Sequence, residues 1–131
     1  MAKPYESRRY GQINVAGVTH MNDQVKMTRL EWIRKYVQYG SRFVLEREPD
    51  NEHDKNAIKI LHVLKKSGRK IEVGYVPRKQ AAEWAPLMDK FGWNPELYFG
   101  KRYVIETDKA AEKFGMEIGD VCGLAVRYVK R

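Results

Sequence analysis

The chain has 131 residues, the length of one domain, and can bury a single core. Hydrophobic residues make up 43% and charged residues 32%, which excludes the aromatic-poor composition of a disordered chain. Lys and Arg number 25 against 17 Asp and Glu, so the net charge of +8 favours polyanionic partners, and the single cysteine, Cys122, excludes an intrachain disulfide and a cysteine-rich zinc site. A reducing cytosol is therefore the expected, cytoplasmic compartment. No apolar run approaches the ~20 residues of a membrane span, and the polar stretch from Met1 to Tyr10 does not read as a secretory signal.

The pattern predicts a polar arm over Met1 to Gly11 and a first strand over Gln12 to Val18, with Ile13 and Val15 on one face. Thr28 reads as a helix N-cap, with Glu31 three residues on as a capping box. Leu30, Ile33 and Val37 then recur at helical spacing, so a helix is expected from Thr28 to Tyr39, stopped by Gly40. Arg42 to Glu48 alternates as a strand. Asn56 to Leu64 and Lys70 to Val76 form a hairpin about the turn at Lys65 to Arg69, with Ile58, Ile60 and His62 on one face. Pro86 is expected to break the next helical stretch into Arg78 to Trp84 and Pro86 to Phe91. Leu97 to Glu106 is a strand, Thr107 to Phe114 a weak helix with Thr107 as its cap, and Val121 to Val129 a last strand. About six strands with two or three flanking helices, mostly β with helices (α+β), suggest a small β-barrel or strongly curved sheet.

The densest polar cluster is Glu46 to Asn56, between two strands, where a functional loop can stand on a rigid scaffold. An EF-hand is rejected, because its sixth position is Lys55 rather than Gly and its twelfth is Leu61 rather than a carboxylate. A nuclease site with Asp54 holding Mg²⁺ lacks a paired acidic motif elsewhere. The structural alternative is that Asp54 and Asn56 merely cap a turn. His20 ends the first strand and His53 lies in the acidic loop, so both can reach one mouth of a barrel, or be plain surface histidines. Cys122 reads as a small buried hydrophobe. Between His62 and Lys79, six basic residues (Lys65, Lys66, Arg69, Lys70, Arg78, Lys79) face Glu72 alone, with Tyr75 among them. Cations beside aromatic rings suit single-stranded nucleic acid, since phosphates meet the charges and bases stack on the rings; the plain alternative is a solvated face.

The strings FVLEREPDNEHDKNAIKI (Phe43 to Ile60), VGYVPRKQAAEWAPLMD (Val73 to Asp89) and VAGVTH (Val15 to His20) resemble the HIRAN domain. The R-E-P-x-N-x-x-D-x-N-A-I segment is the specific part, and the resemblance covers Ile13 to Phe91. It implies an OB-like β-barrel. The chain reads as a single domain, in which the tail from Gly92 to Arg131 supplies C-terminal strands outside the resemblance and the Thr28 to Tyr39 helix is an insertion between the first two motifs. The resemblance also implies recognition of the 3′-hydroxyl end of single-stranded DNA. Asp54 matches the aspartate that accepts a hydrogen bond from that hydroxyl. His53 and His20 stand where the family carries stacking tyrosines, and Thr19 stands where it carries an arginine. Tyr75 matches a further ring and Arg78 the basic phosphate contact. Asn51 and Lys55, from the same loop, complete the candidate set.

The expected function is a non-catalytic module that captures single-stranded DNA 3′ ends, with no cofactor and no metal. Other nucleic acid, or a repair or replication protein, is a further candidate partner. A protein-interaction or accessory module retaining the fold, and a metal-dependent nuclease, are the alternatives.

Overall fold

The computed structural model describes residues 10–130. Among them the chain forms β1 (Tyr10–Asn14), β2 (Met21–Asn22), β3 (Met27–Thr28), α1 (Arg29–Tyr36), β4 (Arg42–Arg47), β5 (Ile58–Val63), β6 (Lys70–Tyr75), α2 (Arg78–Phe91), β7 (Leu97–Val104), α3 (Asp108–Phe114) and β8 (Val121–Val129). Six strands make one antiparallel sheet in the order β1-β8-β7-β4-β5-β6, and β2 pairs with β3 in a separate hairpin.

The sheet curls until its two edges meet. The Ala16 N–H donates to the Tyr75 carbonyl at 2.8 Å, and the Tyr75 N–H returns the bond at 2.9 Å. Gly74 permits this approach: a Cβ there would lie 2.4 Å from the Ala16 carbonyl oxygen. The rest of the β6 edge is covered by side chains of the β2–β3 hairpin. Asn22 Nδ2 donates to the Glu72 carbonyl at 2.7 Å and Gln24 Nε2 to the Lys70 carbonyl at 3.1 Å. An edge satisfied in this way offers no template for another strand. The result is an OB-like, strongly curled sheet closed at one bridge, as expected.

Inward residues of the strands, among them Phe43, Ile58, Ile60, Ile71, Leu97 and Val126, are fully buried. Trp32, Ile33 and Val37 join this core from α1 and its C-terminal end, and Ala81, Trp84 and Ala85 from α2. The Thr28 cap forms as expected, with Thr28 Oγ1 accepting from the Glu31 N–H at 3.1 Å. The helix stops at Tyr36 rather than Tyr39, because Val37 turns to extended backbone and buries its side chain in the core.

The expected break at Pro86 does not occur: α2 is one helix from Arg78 to Phe91. Proline removes the bond that the Ala82 carbonyl would accept, at a cost of ~3 kcal/mol. Pro86 and Ala82 are both exposed, so that carbonyl faces water, while Ala81, Trp84 and Ala85 stay buried on the opposite side. Trp84 alone packs edge-on against Trp93 at 5.0 Å and Tyr128 at 4.8 Å, and this packing holds the helix through the proline. The first strand also begins and ends earlier than expected, at Tyr10 and Asn14, with Ala16 retained only as the closing bridge before a turn at Gly17.

His62 is 4% exposed, and its Nδ1 accepts from the Trp32 indole N–H at 3.0 Å. Burial pushes its pKa below the ordinary histidine value. The unfolded chain therefore takes up a proton near pH 6.5 that the folded chain resists, and stability falls as pH drops below that point. The expected loss is up to about 1.4 kcal/mol per pH unit until the folded pKa is passed. Melting temperature followed from pH 7 to pH 5 checks this. His62→Gln, which keeps an acceptor for Trp32 but does not titrate, should flatten the decline.

Candidate nucleic-acid interface

The closing bridge sets one mouth of the barrel. Tyr75 ends β6, and its ring, half-buried, shares the outer face with Lys59, its partner across the β5–β6 ladder. The Tyr75 hydroxyl donates to Glu48 Oε1 at 3.0 Å. The Arg29 guanidinium lies 5.4 Å from the ring centroid, donates from Nη1 to the Gly17 carbonyl at 2.8 Å, and pairs through Nη2 with Glu72. Lys59 Nζ stands 2.9 Å from Glu48 and 4.0 Å from Glu72. Charges therefore alternate Arg29, Glu72, Lys59, Glu48 around the tyrosine.

This network fixes protonation. Burial raises the Glu48 pKa, but hydrogen bonds from Lys59, Asn51 and Tyr75 outweigh it and hold the carboxyl below its ordinary value. Lys59 is pushed up by its bond to Glu48, against the opposing effect of burial. Tyr75 is pushed up by burial and by donating to Glu48. All three remain in their ordinary neutral-pH forms, and the ring is held by contacts at its hydroxyl and over its face.

The loop from Glu48 to Ala57 is built on Asn51. Its Oδ1 accepts from the N–H groups of His53 at 2.8 Å and Asp54 at 2.9 Å, and its Nδ2 donates to Glu48 at 2.5 Å. Asn51 is thus a scaffold residue, tying the loop to the carboxylate that also holds Tyr75. Asp54 Oδ1 accepts from the Asn56 N–H at 2.9 Å, the turn contact that its sequence position suggests. Its other oxygen, Oδ2, stands 3.5 Å from Arg78 Nε, too long for a strong hydrogen bond. Arg78, at the start of α2, also donates to the His53 carbonyl at 2.6 Å.

The structure brings most of the sequence-derived candidates together. A Cβ on Gly17 would lie 3.6 Å from the His20 ring and 4.0 Å from the Tyr75 ring, so the two rings flank one backbone position. Through Glu48, Tyr75 connects to Asn51, His53, Asp54 and Arg78. His20, His53 and Thr19 are exposed. Lys55 is exposed too, and its carbonyl accepts from Arg47 Nη2 at 3.0 Å. The basic run divides: Arg78 and Lys79 follow Tyr75 at the mouth, whereas Lys65, Lys66, Arg69 and Lys70 sit at the other end of β6, roughly 17 Å away for a strand rising ~3.3 Å per residue.

Arg29, Glu48, Lys59 and Glu72 are not among the sequence-derived candidates. Lys59 and Glu72 carry a weak signal, as polar residues alternating with buried ones. Arg29 carries none, because its burial depends on Glu72, 43 residues away. Among the described residues no three His, Cys, Asp or Glu side chains group closely enough to hold a metal ion, and no helix is long and apolar enough to cross a membrane.

No curated protein matches this sequence. The fold is similar to the crystal structure of the HIRAN domain of human HLTF, with a TM-score of 0.60 at 18% identity over 92% of this chain and 73% of that one. It is also similar to the crystal structure of a protein from Lactobacillus plantarum, with a TM-score of 0.52 at 21% identity over 95% of this chain and all of that one. The HIRAN domain family model matches residues 9–118, beyond the Ile13 to Phe91 span of the resemblance and through β7 and α3. That match supports a nucleic-acid-binding module. With the family model spanning most of its length on a barrel of the corresponding fold, this chain belongs to the HIRAN domain family.

Proposed function

We propose that the mouth formed by the 17–20 turn, Tyr75 and the 48–57 loop binds single-stranded DNA by its 3′-hydroxyl end, without catalysis. The observation that carries this reading is Asp54. Its Oδ1 is committed to the turn, while Oδ2 faces only a long contact with an exposed arginine. A carboxylate repels phosphate, so in a polyanion site it favours a ligand that brings a donor. A free 3′-hydroxyl is such a donor, and a 3′-phosphate is not. Arg78, whose side chain is 75% exposed, meets the adjacent phosphate. Tyr75, His20 and His53 offer rings to the terminal bases, and Thr19 leaves the turn without the arginine that the family carries there. Binding of this kind suits a cytoplasmic module that marks DNA ends for repair or replication proteins. A preference for a 3′-hydroxyl strand over a 3′-phosphate strand tests it.

The two histidines give a second test. His20→Ala and His53→Ala are each expected to weaken a short single strand by about 1 kcal/mol, roughly fivefold, the low end of the ~1–3 kcal/mol for base stacking. Both side chains are exposed, so neither change should lower the melting temperature. Unchanged affinity in both folded variants would leave them as plain surface histidines.

A further inference from the structure

At the end of the barrel away from the mouth, one row of residues crosses the sheet in register. Lys70 pairs with Val63, Val63 with Arg42, Arg42 with Tyr98, and Tyr98 with Arg127. Directly opposed residues of an antiparallel ladder point to the same face. Lys70, Arg42, Tyr98 and Arg127 are all exposed, so this is the solvent face. At ~4.8 Å per strand the row spans roughly 19 Å. Lys65, Lys66 and Arg69 extend it at the hairpin tip, and all three are exposed.

Rings line the same surface. A cleft of about 280 Å³ opens between Tyr10, Tyr39, Ser41, Tyr98, Phe99 and Arg127. Tyr39 is 92% exposed at the cleft, a large ring left in water. The Arg127 guanidinium lies 4.5 Å over the Tyr10 ring. Glu96, an acidic group here, pairs with Arg42 and accepts from the Tyr98 hydroxyl at 3.0 Å, so its charge is used within the surface.

We infer that this row and cleft form a second binding surface for single-stranded nucleic acid, taking phosphates on Arg127 and the Lys65 to Lys70 tip and a base against Tyr39. A polyphosphate chain with unpaired bases complements a cationic row interleaved with exposed rings. From Ala16 at the mouth to Tyr10 at the cleft, β1 and its extension cover roughly 20 Å. A strand stacked at ~3.4 Å per nucleotide needs about six nucleotides to reach from one to the other. This surface recognises internal strand and does not depend on end capture.

The probe is a fluorescein-labelled thymidine 12-mer carrying a 3′-phosphate, which cannot use a hydroxyl acceptor, so the outcome is separable from the fate of the end-capture proposal. Tyr39→Ala should weaken it about fivefold, and Arg127→Glu should weaken it and lower the slope of log affinity against log salt by about 0.7, one phosphate contact. Both positions are exposed, so folding is expected to persist, and a thermal melt verifies it. Wild-type affinity retained in both folded variants, or no binding of the 12-mer by the wild-type protein, would overturn the assignment. So would a sedimentation profile showing that wild-type protein self-associates and that Arg127→Glu abolishes this, which would make the surface an interface between copies of the chain.

Discussion

Asp54→Asn should lower affinity for a strand ending in a 3′-hydroxyl by tenfold or more, and leave a 3′-phosphate strand bound equally well or better. A hydrogen bond to an ionised group contributes ~1.5–3 kcal/mol, and 1.4 kcal/mol is tenfold in affinity. The substitution separates the two roles that the side chain combines. Asparagine keeps an oxygen for the Asn56 N–H, now bonded at 2.9 Å, and asparagine is itself a good turn residue. What it loses is the charge at Oδ2. Arg78 is freed from its 3.5 Å contact there but retains its bond to the His53 carbonyl. A 3′-phosphate then meets one repulsive charge fewer, and the discrimination between ends collapses. If Asp54 only held the turn, the variant would melt earlier and bind both strands equally less well. Melting temperature and both affinities, measured on one preparation, distinguish these outcomes.

Gly74→Ala should destabilise the fold by about 3 kcal/mol and weaken strand binding as well. The added Cβ would stand 2.4 Å from both the Ala16 carbonyl oxygen and a Val15 methyl, at a backbone φ of +153° that suits glycine. The edges must part, and the two bonds between Ala16 and Tyr75 are lost at ~0.5–1.5 kcal/mol each, with backbone strain adding ~1–3 kcal/mol. For a chain of this size the melting temperature should drop by roughly 10 °C. Tyr75 would lose its two backbone bonds to Ala16 and shift away from the 17–20 turn, so affinity should fall even where the variant is fully folded. A variant that melts like the wild type would show that the edges close without this approach.

Local signals in the sequence carried much of the fold. The β5–β6 hairpin was legible because Ile58, Ile60 and His62 alternate along β5 ahead of the turn at Lys65 to Arg69, and α1 because Thr28 and Glu31 mark its start. Pro86 misled because proline's cost is local, whereas the Trp84 packing that outweighs it comes from Trp93 and Tyr128 elsewhere in the chain. The β2–β3 hairpin has two-residue strands, too short for any period to register. Barrel closure rests on a single bridge between residues 59 apart, which no window of sequence contains. At the candidate site, the loop was legible through its dense polar cluster and through family motifs. Its wiring was not: nothing in the sequence ties Asn51 through Glu48 to Tyr75, and the Arg29–Glu72 pair that braces Tyr75 is purely tertiary. The basic run looked continuous along the chain, but β6 carries its two halves to opposite ends of the barrel.

End capture is tested most directly by one fluorescence-anisotropy titration of the wild-type protein with two single strands of identical sequence, one ending in a 3′-hydroxyl and the other in a 3′-phosphate. An accepting Asp54 predicts tighter binding of the hydroxyl strand by about tenfold or more. Equal affinity for the two strands, or a preference for the phosphate, would contradict it.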